Sequence, residues 1–261
     1  MLHFAIDERL ILTLFLIMAR VGTITIFAPF FSVTTFGVQV RVYLTLFLSV
    51  ALLPVVHIGD LPTPMPFLGW AVLFVQEALI GLGVGLVMRM ILAGVQMTGH
   101  LIGFQIGYSF VNVIDPQTAV QTSTLTVFLN FIAVVIFVLM NGHHFVIAAL
   151  AGSFTHIPPM HAAFGRGVFD AVSSAAGTIF VLGLQLAAPM LFLLVLLDVV
   201  VGIIGRVAPQ VPILIIAFPL KVIVGIASLG VGLAYFRDSF QHFLILFEGD
   251  VGSLLRAFAH G

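Results

Sequence analysis

Hydrophobic residues run along this chain in blocks too long for ordinary strands. Long stretches lack Asp, Glu, Lys and Arg altogether, among them residues 21–40, 42–59, 90–114, 116–165, 171–197 and 222–236. About 20 apolar residues suffice for a helix to cross the hydrocarbon core of a bilayer. The blocks do not alternate with a period of two, which disfavours a porin-like barrel. Helices are the remaining way to satisfy the backbone in lipid. The pattern predicts an all-α integral membrane protein.

Prolines, glycines and polar residues divide the blocks. A first helix is predicted over residues 10–28, stopping near Pro29, and a turn-like stretch follows at 32–39. A second helix over 41–53 ends before Pro54. Pro62, Pro64 and Pro66 make residues 59–66 the clearest loop, because such spacing cannot sit inside a helix. A long helix over 67–97 continues, with a bend near Gly94, toward Gly107. Residues 108–115 are more polar. Asp115-Pro116 reads as the next helix start, with Asp as N-cap and Pro in the first turn. Asn141-Gly142 reads as its stop, about 26 residues or ~39 Å later. A loop around Pro158-Pro159 separates two halves. Residues 172–204 form another long helix, kinked at Pro189 and broken by Pro209 and Pro212. Pro219 limits the start of the last apolar helix, which runs to about Phe236. Residues 237–261 read as a partly solvated amphipathic helix. The first block holds Arg20 near its middle, and no small-residue cleavage pattern follows, so it reads as a retained helix rather than a removed signal peptide.

Composition sharpens the class. The 261 residues include nine basic and ten acidic side chains, 7% of the chain, where soluble domains carry roughly 25%. So few charges cannot cover the surface of a soluble enzyme, and a 61% hydrophobic content excludes disorder. A net charge of −1 leaves no footprint for nucleic acid. The absence of Cys removes disulfides, thiolate zinc sites and cysteine nucleophiles. Nine histidines invite a metal or acid–base reading, yet no H-E-x-x-H set exists, and His143-His144, His156 and His161 read as loop or helix-end residues. Gly81-Leu82-Gly83-Val84-Gly85 lacks the Lys-Ser/Thr of a phosphate loop. No catalytic, cofactor-binding or metal-binding residue is predicted.

Intramembrane charges are more informative. Arg20, Glu77, Arg89 and Asp198 lie inside apolar runs, where an ionisable group costs about 2.5–3.5 kcal/mol on insertion scales. They read first as ion pairs that hold helices or subunits together, with a proton relay as the alternative. Asp198 and Arg206 are two helical turns, ~12 Å, apart, so each meets another segment or another chain. Gly81 and Gly85, and Gly99, Gly103 and Gly107, have the spacing that lets helix backbones approach closely. Residues 96–126 collect uncharged polar side chains, with Asp115 the only charge and with Phe104, Phe110, Val111, Val113 and Ile114 interleaved. A neutral polar wall suits a conduit for varied polypeptide, and bulky apolar groups beside it can close the conduit by dewetting. An ordinary polar loop between helices is the plainer alternative.

The same residues resemble a known family. Glu77-Ala78-Leu79-Ile80-Gly81, Ala93-Gly94-Val95-Gln96, Ile102-Gly103-Phe104-Gln105-Ile106-Gly107, Asp115-Pro116 and Asn141-Gly142-His143 follow the order and spacing of the FliR family of flagellar export-gate proteins. That family is related to the T component of virulence type III secretion systems. Ala28-Pro29-Phe30-Phe31, Arg41, Pro189, Asp198, Gly202, Arg206, Pro209-Gln210 and Phe218-Pro219-Leu220-Lys221 extend the resemblance over nearly the whole chain. Two positions depart from the pattern: Val211-Pro212-Ile213 replaces a usual Asn, and Ala217 a usual Gly. The resemblance implies a non-enzymatic pore and scaffold subunit in the bacterial inner membrane, at the flagellar basal body. Its partners would be FliP, FliQ and FlhB, its substrates unfolded flagellar proteins, with no cofactor. It implies one membrane domain of tilted helical hairpins in a helical ring, residues 1–150 forming a FliP-like packing half and 151–261 a hairpin half. The family's plug loop would fall on about 107–124, with Tyr108, Phe110, Val111, Val113 and Ile114 as its closing residues. Arg20, Glu77, Arg89, Asp198, Arg206 and Lys221 would be the charges that serve assembly. The runner-up is a proton-coupled secondary transporter using Asp198 or Glu77.

Overall fold

The computed structural model describes residues 8–28, 37–56, 66–107, 124–210 and 212–260. Its elements are all α-helices: α1 (Glu8–Phe27), α2 (Val38–Leu52), α3 (Phe67–Ile106), α4 (Thr124–Leu139), α5 (Gly142–His156), α6 (Arg166–Val207) and α7 (Ile213–His260). No strand occurs among the described residues. Among them, α1, α3 and α6 are long and apolar enough to cross a membrane, and the pair α4–α5, bent by 71°, makes a fourth candidate if taken as one span.

The predicted stops hold where local chemistry decides them. Asn141 ends α4 in the left-handed conformation (φ 58°), which short polar side chains tolerate, and Gly142 opens α5. The predicted start at Asp115-Pro116 lies outside the described residues, as do most of the turn near Pro29 and the proline-rich loop. One expectation about proline fails. Pro219 sits inside α7, which starts at Ile213 and continues through it, whereas α6 runs through Pro189 as the helix predicted over 172–204 does. Around Pro219, Phe218 packs on Gly107 and Lys221 reaches Asp198, so contacts on both sides hold the helix through the missing N–H. Beyond Phe236 the same helix takes in the predicted amphipathic tail and runs to His260.

The helices form two compact units interleaved along the chain. Unit 1 takes residues up to Ile91, Asn141–Ala176 and Leu246 onward; unit 2 takes Leu92–Met140 and Gly177–Ile245. In unit 1, α1 buries Ile17, Arg20, Val21 and Ile24, and α3 buries Leu73, Glu77, Ile80, Val84 and Val87, both at helical spacing. The end of α7 adds Phe247, Val251, Leu254 and Phe258 to the same core, while Glu248 and Arg256 stay exposed. The Phe258 carbonyl accepts the Ala163 N–H (2.8 Å), and its ring meets Phe164 edge-on at 5.5 Å. In unit 2, Val95, Ile102 and Ile106 of α3 are buried, as are Leu129, Ala133 and Phe137 of α4 and Leu186, Met190 and Leu194 of α6.

Glycines decide how closely α1 and α3 approach. A Cβ on Gly81 would strike the Thr23 hydroxyl and the Arg20 carbonyl oxygen, and one on Gly85 would lie 2.9 Å from Phe27 Cβ. Gly81→Ala should therefore lower stability by about 1–3 kcal/mol, because a tightly packed contact cannot absorb another methyl group. Gly249 lies within α7 with nothing within 4 Å of a Cβ, so Gly249→Ala should be neutral or stabilising by about 0.5–1 kcal/mol. Thermal unfolding in detergent, followed through the single tryptophan Trp70, checks both signs.

Candidate functional site

Two polar centres stand out among the apolar helices, one in each unit. In unit 1, Arg20 of α1 is fully buried and Glu77 of α3 is 1% exposed. Arg20 Nε donates to Glu77 Oε2 at 2.6 Å, and a terminal guanidinium nitrogen lies 2.6 Å from the same oxygen. The other terminal nitrogen donates to the carbonyls of Ser153 (2.8 Å) and Ile157 (3.0 Å). These carbonyls belong to the last turn and C-cap of α5, where a cation is favoured; the Ser153 carbonyl also accepts the Ile157 N–H at 3.0 Å. Pro158 and Pro159 follow directly and offer no N–H of their own. The guanidinium carbon lies 4.3 Å from the centroid of the Phe154 ring, adding a cation–π contact. Glu77 Oε1 has no hydrogen-bond partner among the described residues. One side chain thus ties α1 to α3 and caps α5.

In unit 2, Asp198 of α6 is held from two helices. Lys221 Nζ of α7 lies 2.5 Å from Oδ1, and Gln105 Nε2 of α3 donates to Oδ2 at 2.7 Å. Both charged side chains are partly exposed, Lys221 23% and Asp198 36%. Two residues beyond Gln105, Gly107 closes α3 with φ +98°, a conformation that side-chain-bearing residues rarely adopt. The Phe218 ring lies 3.4 Å from where its Cβ would be. Nearby, Thr98 Oγ donates to the Gly94 or Gly183 carbonyl, 3.1 Å from each, and Thr126 packs against Gly99.

The residues singled out by the sequence divide accordingly. Arg20 pairs with Glu77, and Asp198 with Lys221; each pair lies within one chain. Arg89 and Arg206 are exposed on this chain, because neither Arg89's face of α3 nor Arg206's face of α6 is covered there by another described helix. Neither has an ion pair among the described residues. Tyr108, Phe110, Val111, Val113 and Ile114 lie outside the described residues. Of the described polar stretch, Thr98 and Thr126 are buried between helices and Gln105 is engaged, whereas Gln96 and His100 are exposed. His156 bonds the Gly152 carbonyl of its own helix, and His161 the Pro159 carbonyl. Among the described residues no three His, Asp or Glu side chains come together to hold a metal ion. Sequence reasoning missed the Ser153 and Ile157 carbonyls and the role of Gln105. Pro158-Pro159 after an apolar helix was the available signal, since the two prolines supply no N–H to the carbonyls at the helix end.

An all-α membrane protein whose internal charges serve as interhelical ties is the class that this fold and these centres define. Residues 11–246 match the family model described as "Bacterial export proteins, family 1", and the chain belongs to that family. It is 32% identical over 215 residues to the flagellar biosynthetic protein FliR of Pectobacterium carotovorum subsp. carotovorum, covering 82% of each chain. It is 33% identical over 200 residues to FliR of Escherichia coli K12, covering 77% of this chain and 76% of the relative. It is 30% identical over 243 residues to FliR of Caulobacter vibrioides, covering 89% and 94%.

Removing one partner of a buried ion pair leaves an uncompensated charge and costs about 3–5 kcal/mol. Glu77→Ala should therefore lower the unfolding temperature sharply. The double variant Arg20→Met/Glu77→Leu should be less damaged than Glu77→Ala, yet less stable than wild type, because the Ile157 carbonyl loses the Arg20 donor and the Ser153 carbonyl keeps only the Ile157 N–H. A double-mutant cycle read by Trp70 fluorescence measures the coupling.

Proposed function

We propose that this chain is a pore and scaffold subunit of the flagellar type III protein export gate, in the bacterial inner membrane at the basal body. In this reading it assembles with FliP-, FliQ- and FlhB-like chains and helps form and close the channel for unfolded flagellar proteins. The observation that carries the reading is the export-family match over residues 11–246. The surface agrees with it: α2, α3 and α6 expose Tyr43, Phe47, Val75, Phe180 and Phe192 on a chain with too few charges for water. No step in this role calls for a catalytic group. Residues 1–150 are proposed as the FliP-like packing half and 151–261 as the hairpin half.

A proton-coupled transporter with Asp198 or Glu77 as carrier is the competing reading. Each carboxylate is held by a cation of the same chain, which supports the structural role. If Asp198 is a tie, Asp198→Asn should weaken copurification with the small membrane partners, and Asp198→Glu should partly retain it. The exchange Asp198→Lys/Lys221→Asp should recover more than either single change. Intact assembly with export abolished in Asp198→Asn would favour the proton carrier.

Closure follows from the same reading. A channel wide enough for polypeptide must be shut at rest, because each ion crossing dissipates about 2.3 kcal/mol per 100 mV. Tyr108, Phe110, Val111, Val113 and Ile114 are the proposed closing groups, on the segment that follows the Gln105–Asp198–Lys221 tie. Deleting residues 108–114 in a complex that still assembles should raise small-ion conductance without blocking export. Phe110→Ala should give a smaller leak. Ion permeability of liposomes carrying the assembled gate is the measurement, and a deletion complex as tight as wild type removes the segment from gating.

A further inference from the structure

The outer surface of α3 in unit 1 is unusually ordered. Leu68, Val72, Val75, Leu79 and Leu82 are exposed, at spacings of four, three, four and three residues. The same register continues through half-buried Leu86 to exposed Arg89. Between Phe67 and Arg89, only Phe67 and Phe74 are exposed off this line. Its flanks are closed from within: Gly81 and Gly83, on either side of Leu82, are buried, as are Leu73, Glu77 and Ile80. The result is a narrow apolar line with a 3.5-residue repeat, widened only at Phe67 and Phe74 and running ~31 Å from Leu68 to Arg89 at 1.5 Å per residue.

Acyl chains impose no register on a helix, whereas a packed helix does. A strict four-three repeat is the signature of a left-handed helix–helix seam. The exposed face of α6 differs: Phe192-Leu193, Val195-Leu196, Val199-Val200 and Ile203-Ile204 are exposed in adjacent pairs all along it, a broader face. Arg89 closes the α3 line with no hydrogen bond or ion pair among the described residues. A guanidinium at the end of an apolar seam needs a counter-charge, and a partner that supplies one there also fixes the register.

We propose that the line from Leu68 to Arg89 is the docking seam for one apolar helix of a partner membrane protein, whose carboxylate pairs with Arg89. This rests on the reading of the chain as a subunit of a membrane assembly. The test places a photo-crosslinking residue at Val72, at Leu79 and, as a broad-face control, at Phe192, in the full chain in cells. Val72 and Leu79 should yield one and the same membrane protein, and Phe192 should label lipid. Arg89→Glu should reduce the Leu79 adduct at least tenfold, and Arg89→Lys should retain it. Replacing the partner carboxylate opposite Arg89 by Lys should restore the adduct of the Arg89→Glu chain. Lipid adducts at Val72 and Leu79 would overturn the proposal, as would crosslinking to a second copy of this chain, an adduct indifferent to Arg89→Glu, or failed charge-reversal rescue. A chain that copurifies with membrane partners but labels only lipid along the line defeats this inference alone. A chain that copurifies with none defeats the export-gate reading itself.

Discussion

A guanidinium with no exposed surface, set in the middle of an apolar helix, is the constraint around which unit 1 is organised. An unpaired Arg at that depth is not tolerable, and no single partner exhausts its donors. The structure answers with a carboxylate from α3, two carbonyls from the end of α5 and an aromatic face from Phe154. Three helices are placed by one side chain, and the close approach they need is available only because Gly81 and Gly85 have no Cβ. Unit 2 uses a softer version of the device: Asp198 gathers α3, α6 and α7 but stays partly exposed, so its geometry is held with less at stake.

The two arrangements suit different mechanical duties. A fully buried pair with carbonyl partners has no near alternative, since any displacement strands a charge in an apolar medium. A partly exposed carboxylate between a lysine and an amide can exchange partners at small cost. The first belongs where a scaffold must not yield, and the second close to the segment proposed to open and close.

The sequence made the helices legible because charge-free length and punctuation are local properties. Asn141-Gly142 marks a stop in any context, since left-handed tolerance resides in the residues themselves. Pro219 misled for the complementary reason: a local rule counts the lost N–H, not the grip of Phe218 and Lys221 on either side. The charges of interest were also visible, since an ionisable group in an apolar run is conspicuous by itself. Their pairing was not. Arg20 and Glu77 are 57 positions apart, and Asp198 meets Lys221 and Gln105 only through the crossing of three helices. Asn141-Gly142 marked the end of α4, but the apolar run that resumes there was not read as a further helix, α5, set at 71° to α4.

The interleaving of the units has a consequence for biosynthesis. Arg20 and Glu77 leave the ribosome early, but the carbonyls that complete the guanidinium's shell come from residues 153 and 157, and Phe247, Leu254 and Phe258 close the core later still. Unit 1 is begun first and finished last, after every residue of unit 2 has been made. Until residue 157 is made the nascent chain carries a half-satisfied cation, and until residue 258 an apolar groove that its own last helix has yet to close.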